Sequence, residues 1–204
     1  MSAAKTSILQ ALTAFALLGL LMVDAVLGLG AILLCQLSFP PICWGGAQLK
    51  SVLVSYALWL PLWTVFAAGY LRAMIALGHR VEPQAQLLQL ATHGADVEGF
   101  WAQVLAIVAV APLAEEVVFR GYLFTSLRDA MPKLGTHLVV AGLFGLVHGL
   151  GHAVPVAVLS LLFGYLRQRH DGLLPAILAH ALHNGSMIAV FVLCPDLLDL
   201  LYAR

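Results

Sequence analysis

Charge is the scarcest property of this chain. Only 10% of its 204 residues are Asp, Glu, Lys or Arg against 62% hydrophobic, and the mean hydropathy is +0.97. A chain with so few polar side chains cannot cover a water-soluble globule of this size, so an integral membrane protein is expected. Ten basic and ten acidic residues cancel, leaving no overall bias toward nucleic acid. Cysteine is nearly as sparse. Cys35, Cys43 and Cys194 make no CxxC pair, which removes the usual thiolate metal sites. Cys35 and Cys43 share a connector and would form a disulfide only if it faced an oxidising compartment. The sequence also shows no internal repeat, low-complexity tract or second domain.

What the chain has in quantity is long apolar runs. A helix needs about 20 such residues to cross the hydrocarbon core, and six candidate spans follow: Ile8 to Leu34, Ser51 to Leu77, Phe100 to Leu127, Leu134 to Gly149, Val154 to Leu166 and Leu173 to Leu193. The fourth and fifth are short, as segments at the centre of a bundle can be. The first run after Lys5 is too long for a cleavable signal, so an uncleaved helix with Asp24 as its only charge is expected. Gly78 to Gly99 is the longest polar connector, and its Leu87, Leu88, Leu90 and Ala91 suit a short interfacial helix. The fold class expected is all-α, a polytopic bundle of about six transmembrane helices around a buried polar site. Residues 1–99 would hold two helices and the connector, and residues 100–204 a catalytic core. Basic residues in alternate connectors number four against five, which leaves orientation open.

Polar side chains inside the spans concentrate in the second half. Glu115, Glu116 and Arg120 interrupt an otherwise apolar stretch. Ionised groups at mid-membrane depth cost about 2.5–3.5 kcal/mol each on insertion scales, so they pair, face a wet cavity and serve function. Glu116 and Arg120 are four residues apart and can pair on one helical face. Glu115, offset by about 100°, can then point to a cavity and act as a base. His180 and Asn184 repeat the four-residue spacing, and two N–H donors on one face suit a tetrahedral oxyanion. His148 lies one turn after Phe144, between Gly145 and Gly149, where backbones can approach closely. His152 and His183 repeat helical spacings from His148 and His180 but fall outside this set. Pro112 is expected to kink the helix before the carboxylates, and carbonyls freed there can hold water near Glu115.

Three motifs stand in order: Glu115-Glu116-Val-Val-Phe-Arg120, Phe144-Gly-Leu-Val-His148 and His180-Ala-Leu-His-Asn184. Their order and spacing resemble the EExxxR, FxxxH and HxxxN motifs of the CPBP intramembrane proteases, also called Abi or type II CAAX prenyl endopeptidases. The resemblance spans roughly residues 100–190 and takes in Gly164-Tyr165-Leu166-Arg167 and Asp171-Gly172-Leu173-Leu174-Pro175.

It implies endoproteolysis in or near the bilayer, in a wet conical cavity within a helical core. Glu115 would activate water, His148 would position it, His180 and Asn184 would hold the oxyanion, and Glu116 with Arg120 would brace the site. No cofactor would be required. A zinc ion held by Glu115, His148 and His180 is the alternative, although no HExxH helix is present. The expected partners are membrane lipid and a membrane-anchored protein or peptide, with no nucleic acid. A prokaryotic inner membrane is the expected setting, and C-terminal membrane anchors or CAAX-like tails the expected substrates. Two other classes compete: a non-catalytic bacteriocin-immunity or partner-binding protein, and a proton-coupled transporter, whose duplicated halves and paired broken helices are not found.

Overall fold

The computed structural model describes residues 42–94 and 98–202, with positions 9, 10, 12, 13, 16, 17 and 19 of the N-terminal segment. Most of the first expected span, Asp24 and Cys35 lie outside the described residues. Cys43 and Cys194 are exposed free thiols. Among the described residues the protein is all-α: α1 (Leu49–Ala76), α2 (Ala85–His93), α3 (Phe100–Arg128), α4 (Lys133–Val147), α5 (Ala153–Arg169), α6 (Leu174–Leu193) and α7 (Asp196–Tyr202). Three of them, α1, α3 and α6, are long and apolar enough to cross a membrane. The interfacial helix expected around Leu87 to Ala91 is α2.

The two faces of α1 show what surrounds the bundle. Val52, Tyr56, Ala67 and Leu71 recur at helical spacing and are buried against the other helices. The opposite face exposes Leu53, Val54, Leu58, Leu62, Val65 and Phe66. A contiguous apolar face of this kind is what lipid covers. Ahead of α1, the loop 42–48 is stapled to the turn that starts α6, where Leu173 N–H donates to Cys43 O at 3.0 Å and Leu174 N–H to Trp44 O at 2.8 Å. Gly45 (φ +65°) makes this possible, since an added Cβ would lie 2.7 Å from Gly172 Cα.

The main core gathers Val117, Val118, Phe119, Tyr122, Phe144, Phe163, Leu166 and Leu173 from α3 to α6. A smaller cluster, Ala91, Phe191 and Leu198, joins α2, the end of α6 and α7. The helix α4 has only 15 residues, about 22 Å at 1.5 Å per residue, well short of a roughly 30 Å hydrocarbon core. That shortness has a use. Glu115 lies 13 residues before Arg128 and His148 15 residues after Lys133. The end of α4 reaches the level of Glu115, whose Oε2 lies 3.8 Å from His148 Nε2.

Glycine sets the α4–α5 spacing. A Cβ at Gly145 would run into the carbonyl oxygen of Ala153 and lie 3.0 Å from the Ala157 Cβ. Gly145→Val should therefore force the two helices apart and lower the melting temperature in detergent, with a penalty at or above the roughly 1–3 kcal/mol of overpacking. Wild-type melting in this variant would contradict so close an approach.

Candidate active site

The helix α3 is not α-helical throughout. Its hydrogen bonding widens to π-helical over Ala106–Val110 and Val117–Leu123, on either side of the α-helical Ala111–Glu116 that carries both carboxylates. Such π turns are rare and recur at functional sites.

Glu116 and Arg120 are sealed, each with a fully buried side chain. Arg120 Nη1 donates to Glu116 Oε1 at 2.8 Å, and Nη2 donates to the Ser160 carbonyl at 3.0 Å and to Ser160 Oγ. Rings close the remaining sides, with the guanidinium carbon 4.6 Å from the Phe144 centroid, 5.4 Å from Phe163 and 6.0 Å from Phe119. A cation withdrawn from water recovers part of its lost solvation from aromatic faces and from charge-assisted hydrogen bonds.

Glu116 Oε1 also accepts from His180 Nδ1 at 3.0 Å. The imidazole of His180 stacks on Phe163, with centroids 4.7 Å apart and planes 19° apart. A carboxylate oxygen opposite Nδ1 places the proton of a neutral imidazole on Nδ1. The free Nε2 of His180 then faces Glu115 Oε2 at 3.9 Å.

His148 repeats this arrangement from the other wall. It stands just past the end of α4, where its Nδ1 donates to Phe144 O at 2.7 Å and its Nε2 faces Glu115 Oε2 at 3.8 Å. Glu115 and His148 have side chains about one-fifth exposed, at 22% and 21%. Three groups from three helices thus converge on Glu115 Oε2, an oxygen that is itself buried and has no hydrogen-bond partner. The 3.8 and 3.9 Å separations exceed a hydrogen bond.

Asn184 is turned elsewhere. Its Nδ2 donates to the Ile107 carbonyl in the first π turn at 2.9 Å, so at least one of its amide hydrogens is committed to the backbone of α3. His183 lies between α1 and α6, with Nδ1 3.4 Å from Tyr56 Oη and its ring edge-on to Trp63. His152 pairs through Nε2 with Tyr202 Oη on α7 at 3.0 Å. Among the described residues, no group of three His, Cys, Asp or Glu side chains is arranged to hold a metal ion.

Residues 97–186 match the family model described as Rce1-like, type II CAAX prenyl endopeptidase Rce1-like. This is the family that the three motifs resemble. The Rce1-like region takes in Glu115, Glu116, Arg120, His148, His180 and Asn184, and covers somewhat less than half of the chain. At the coarse level it carries the signature of a CAAX-type intramembrane protease. Neither a curated protein nor a solved structure matches the chain.

Sequence reasoning missed two members of the site in this Rce1-like region, Ser160 and Phe163. Ser160 left a signal: it is a lone hydroxyl within the apolar Val156-Ala-Val-Leu-Ser-Leu-Leu-Phe163. Phe163 left none, because aromatic residues in apolar helices are ordinary packing.

Two outcomes follow. Arg120→Met strands Glu116 without its cation and should cost about 3–5 kcal/mol of stability, while Arg120→Met with Glu116→Gln should recover much of the loss, because no buried charge is left unpaired. A double variant no more stable in detergent melts than the single would contradict this. The second outcome concerns the α4–α5 turn, where burial, and after it the charge of His148, lowers the pKa of His152 below its ordinary 6.5. Below that pH the unfolded chain binds more protons than the folded one, so this residue's contribution makes stability fall as pH falls. His152→Gln should flatten the acid side of the melting profile, and identical profiles would refute the linkage.

Proposed function

We propose that this protein is an intramembrane endopeptidase in which Glu115 activates water against a peptide bond presented from the lipid phase. The observation that carries the reading is the convergence of His148 Nε2 at 3.8 Å and His180 Nε2 at 3.9 Å on Glu115 Oε2, a buried oxygen without a hydrogen-bond partner, beside a sealed ion pair. Separations of this size suit a water molecule held among the three groups. Glu115 takes a proton from that water, and its oxygen adds to the scissile carbonyl. The same carboxyl then passes the proton to the leaving amine as the C–N bond breaks.

His148 orients the water. Its Nδ1–H is occupied by Phe144 O, leaving an Nε2 lone pair that accepts one water hydrogen while Glu115 accepts the other. His180 meets the developing oxyanion from Nε2, which requires the doubly protonated ring. The Glu116 carboxylate at Nδ1 fixes the ring with Nε2 toward the site. No metal enters these steps.

The substrate is a membrane-anchored protein, in keeping with the CAAX-type family. We assign the cleaved segment to a C-terminal membrane anchor, with a CAAX-like tail as the second class, and the setting to a prokaryotic inner membrane. The apolar outer face of α1 and the recessed end of α4 both support a substrate arriving through lipid.

The test is cleavage of membrane-anchored peptide libraries by purified protein in lipid, read by mass spectrometry with and without chelator. Glu115→Gln and His180→Ala should each lose at least about a hundredfold, as removal of a general base or an oxyanion donor does, and chelator should leave the wild type active. Undiminished turnover in Glu115→Gln would sink the mechanism, and chelator-sensitive turnover restored by zinc would replace it with a metal one.

A further inference from the structure

Asn184 spends an amide hydrogen on a backbone carbonyl inside another helix, which is unusual because helical carbonyls are normally satisfied within their own helix. The reason lies three residues before Glu115. In the first wide turn of α3 the bonds run five residues back, and Ala111 N–H donates to Ala106 O. The next bond in that register, to Ile107 O, would have to come from residue 112. Residue 112 is a buried proline, with no N–H to give. The carbonyl it orphans is the one that Asn184 Nδ2 reaches at 2.9 Å. The approach is close along this stretch, since an added Cβ on Gly185 would lie 3.7 Å from Val108 Cγ1.

We propose that Asn184 is a positioning residue: its side-chain amide makes the hydrogen bond that Pro112 cannot make to the Ile107 carbonyl, and so fixes the wide turn of α3 that presents Glu115. Asn184 thereby ties α6, which carries His180, to the helix that carries both carboxylates. This bond and the one from His180 Nδ1 to Glu116 Oε1 hold the two walls of the site in register. The carbonyl released by Pro112 is not left to hold water, as the sequence suggested, but is claimed by a side chain. In its effect on turnover the inference rests on the proteolytic reading above. In its effect on stability it does not.

A double-mutant cycle on the full chain tests it, with Asn184→Ala, Pro112→Ala and the pair, measured by melting in detergent and by cleavage in lipid. With Pro112 present, Asn184→Ala leaves a carbonyl unpaired and should lower the melting temperature by about 3–8 °C. Loss of register at Glu115 should cost about a hundredfold in cleavage. In the Pro112→Ala background a backbone N–H is available again, so the melting loss should shrink by at least about half and cleavage should recover at least about tenfold relative to Asn184→Ala alone. Equal losses in both backgrounds would overturn the proposal and leave Asn184 as an oxyanion donor only. Failure of Asn184→Ala to fold in both backgrounds would overturn it equally. If the wild type cleaves nothing, the proteolytic reading fails, and the melting cycle still decides the link between Asn184 and Pro112.

Discussion

The buried pair of Glu116 and Arg120 is the constraint from which the rest of the molecule follows. Neither side chain reaches solvent, and each ion taken from water costs several kcal/mol, recovered only when every neighbour is well placed. The neighbours come from all around the bundle: Phe144 on α4, Ser160 and Phe163 on α5, and His180 on α6. A guanidinium held this way specifies how four helices meet, where apolar packing alone would permit several arrangements. The network is not complete, since Glu116 Oε2 and Arg120 Nε are buried without a hydrogen-bond partner, so the arrangement rests on the bonds and ring contacts that are made.

The same pair passes its order to the chemistry. Because Glu116 faces Nδ1 of His180, the ring is oriented with Nε2 toward Glu115. Phe144 O does the equivalent for His148. Two adjacent carboxylates thus take opposite roles by geometry alone. Glu116 is enclosed and paired, while Glu115, rotated about 100° away, stands one-fifth exposed between two imidazoles. The short α4 completes the arrangement by ending beside Glu115, so that His148 is supplied by a helix terminus.

Much of this was readable in the sequence, and the limit falls at a definite kind of information. Apolar runs located α1 and α3 to α6 to within a few residues, because hydropathy in a membrane chain is nearly one-dimensional, while the short α7 was not anticipated. The pairing of Glu116 with Arg120 was readable because four-residue spacing is local. His148 and His180 were expected to meet Glu115 on the strength of motif resemblance, and the structure places all three together. Asn184 was expected to share the aim of His180, yet it bonds Ile107 O. A backbone carbonyl carries no residue-type signal, so its partner is invisible in one dimension. Ser160 was visible as an oddity, but the guanidinium it meets lies 40 residues away. The wide turns of α3 were illegible altogether, since no residue type marks a π turn.

Those wide turns make residue count, and not only residue identity, a structural parameter of α3. Each accommodates one more residue than an α turn would, and two of them bracket the carboxylates. Dropping a single position from the first would restore ordinary winding there with Phe100 to Leu105 still in phase with Glu115 and Glu116, whereas the same loss from an α-helical stretch would turn one side against the other by about 100°. A one-residue change in length is therefore absorbed at these turns and nowhere else along α3, which makes them the places where the helix can gain or lose a residue while the carboxylates keep their aim.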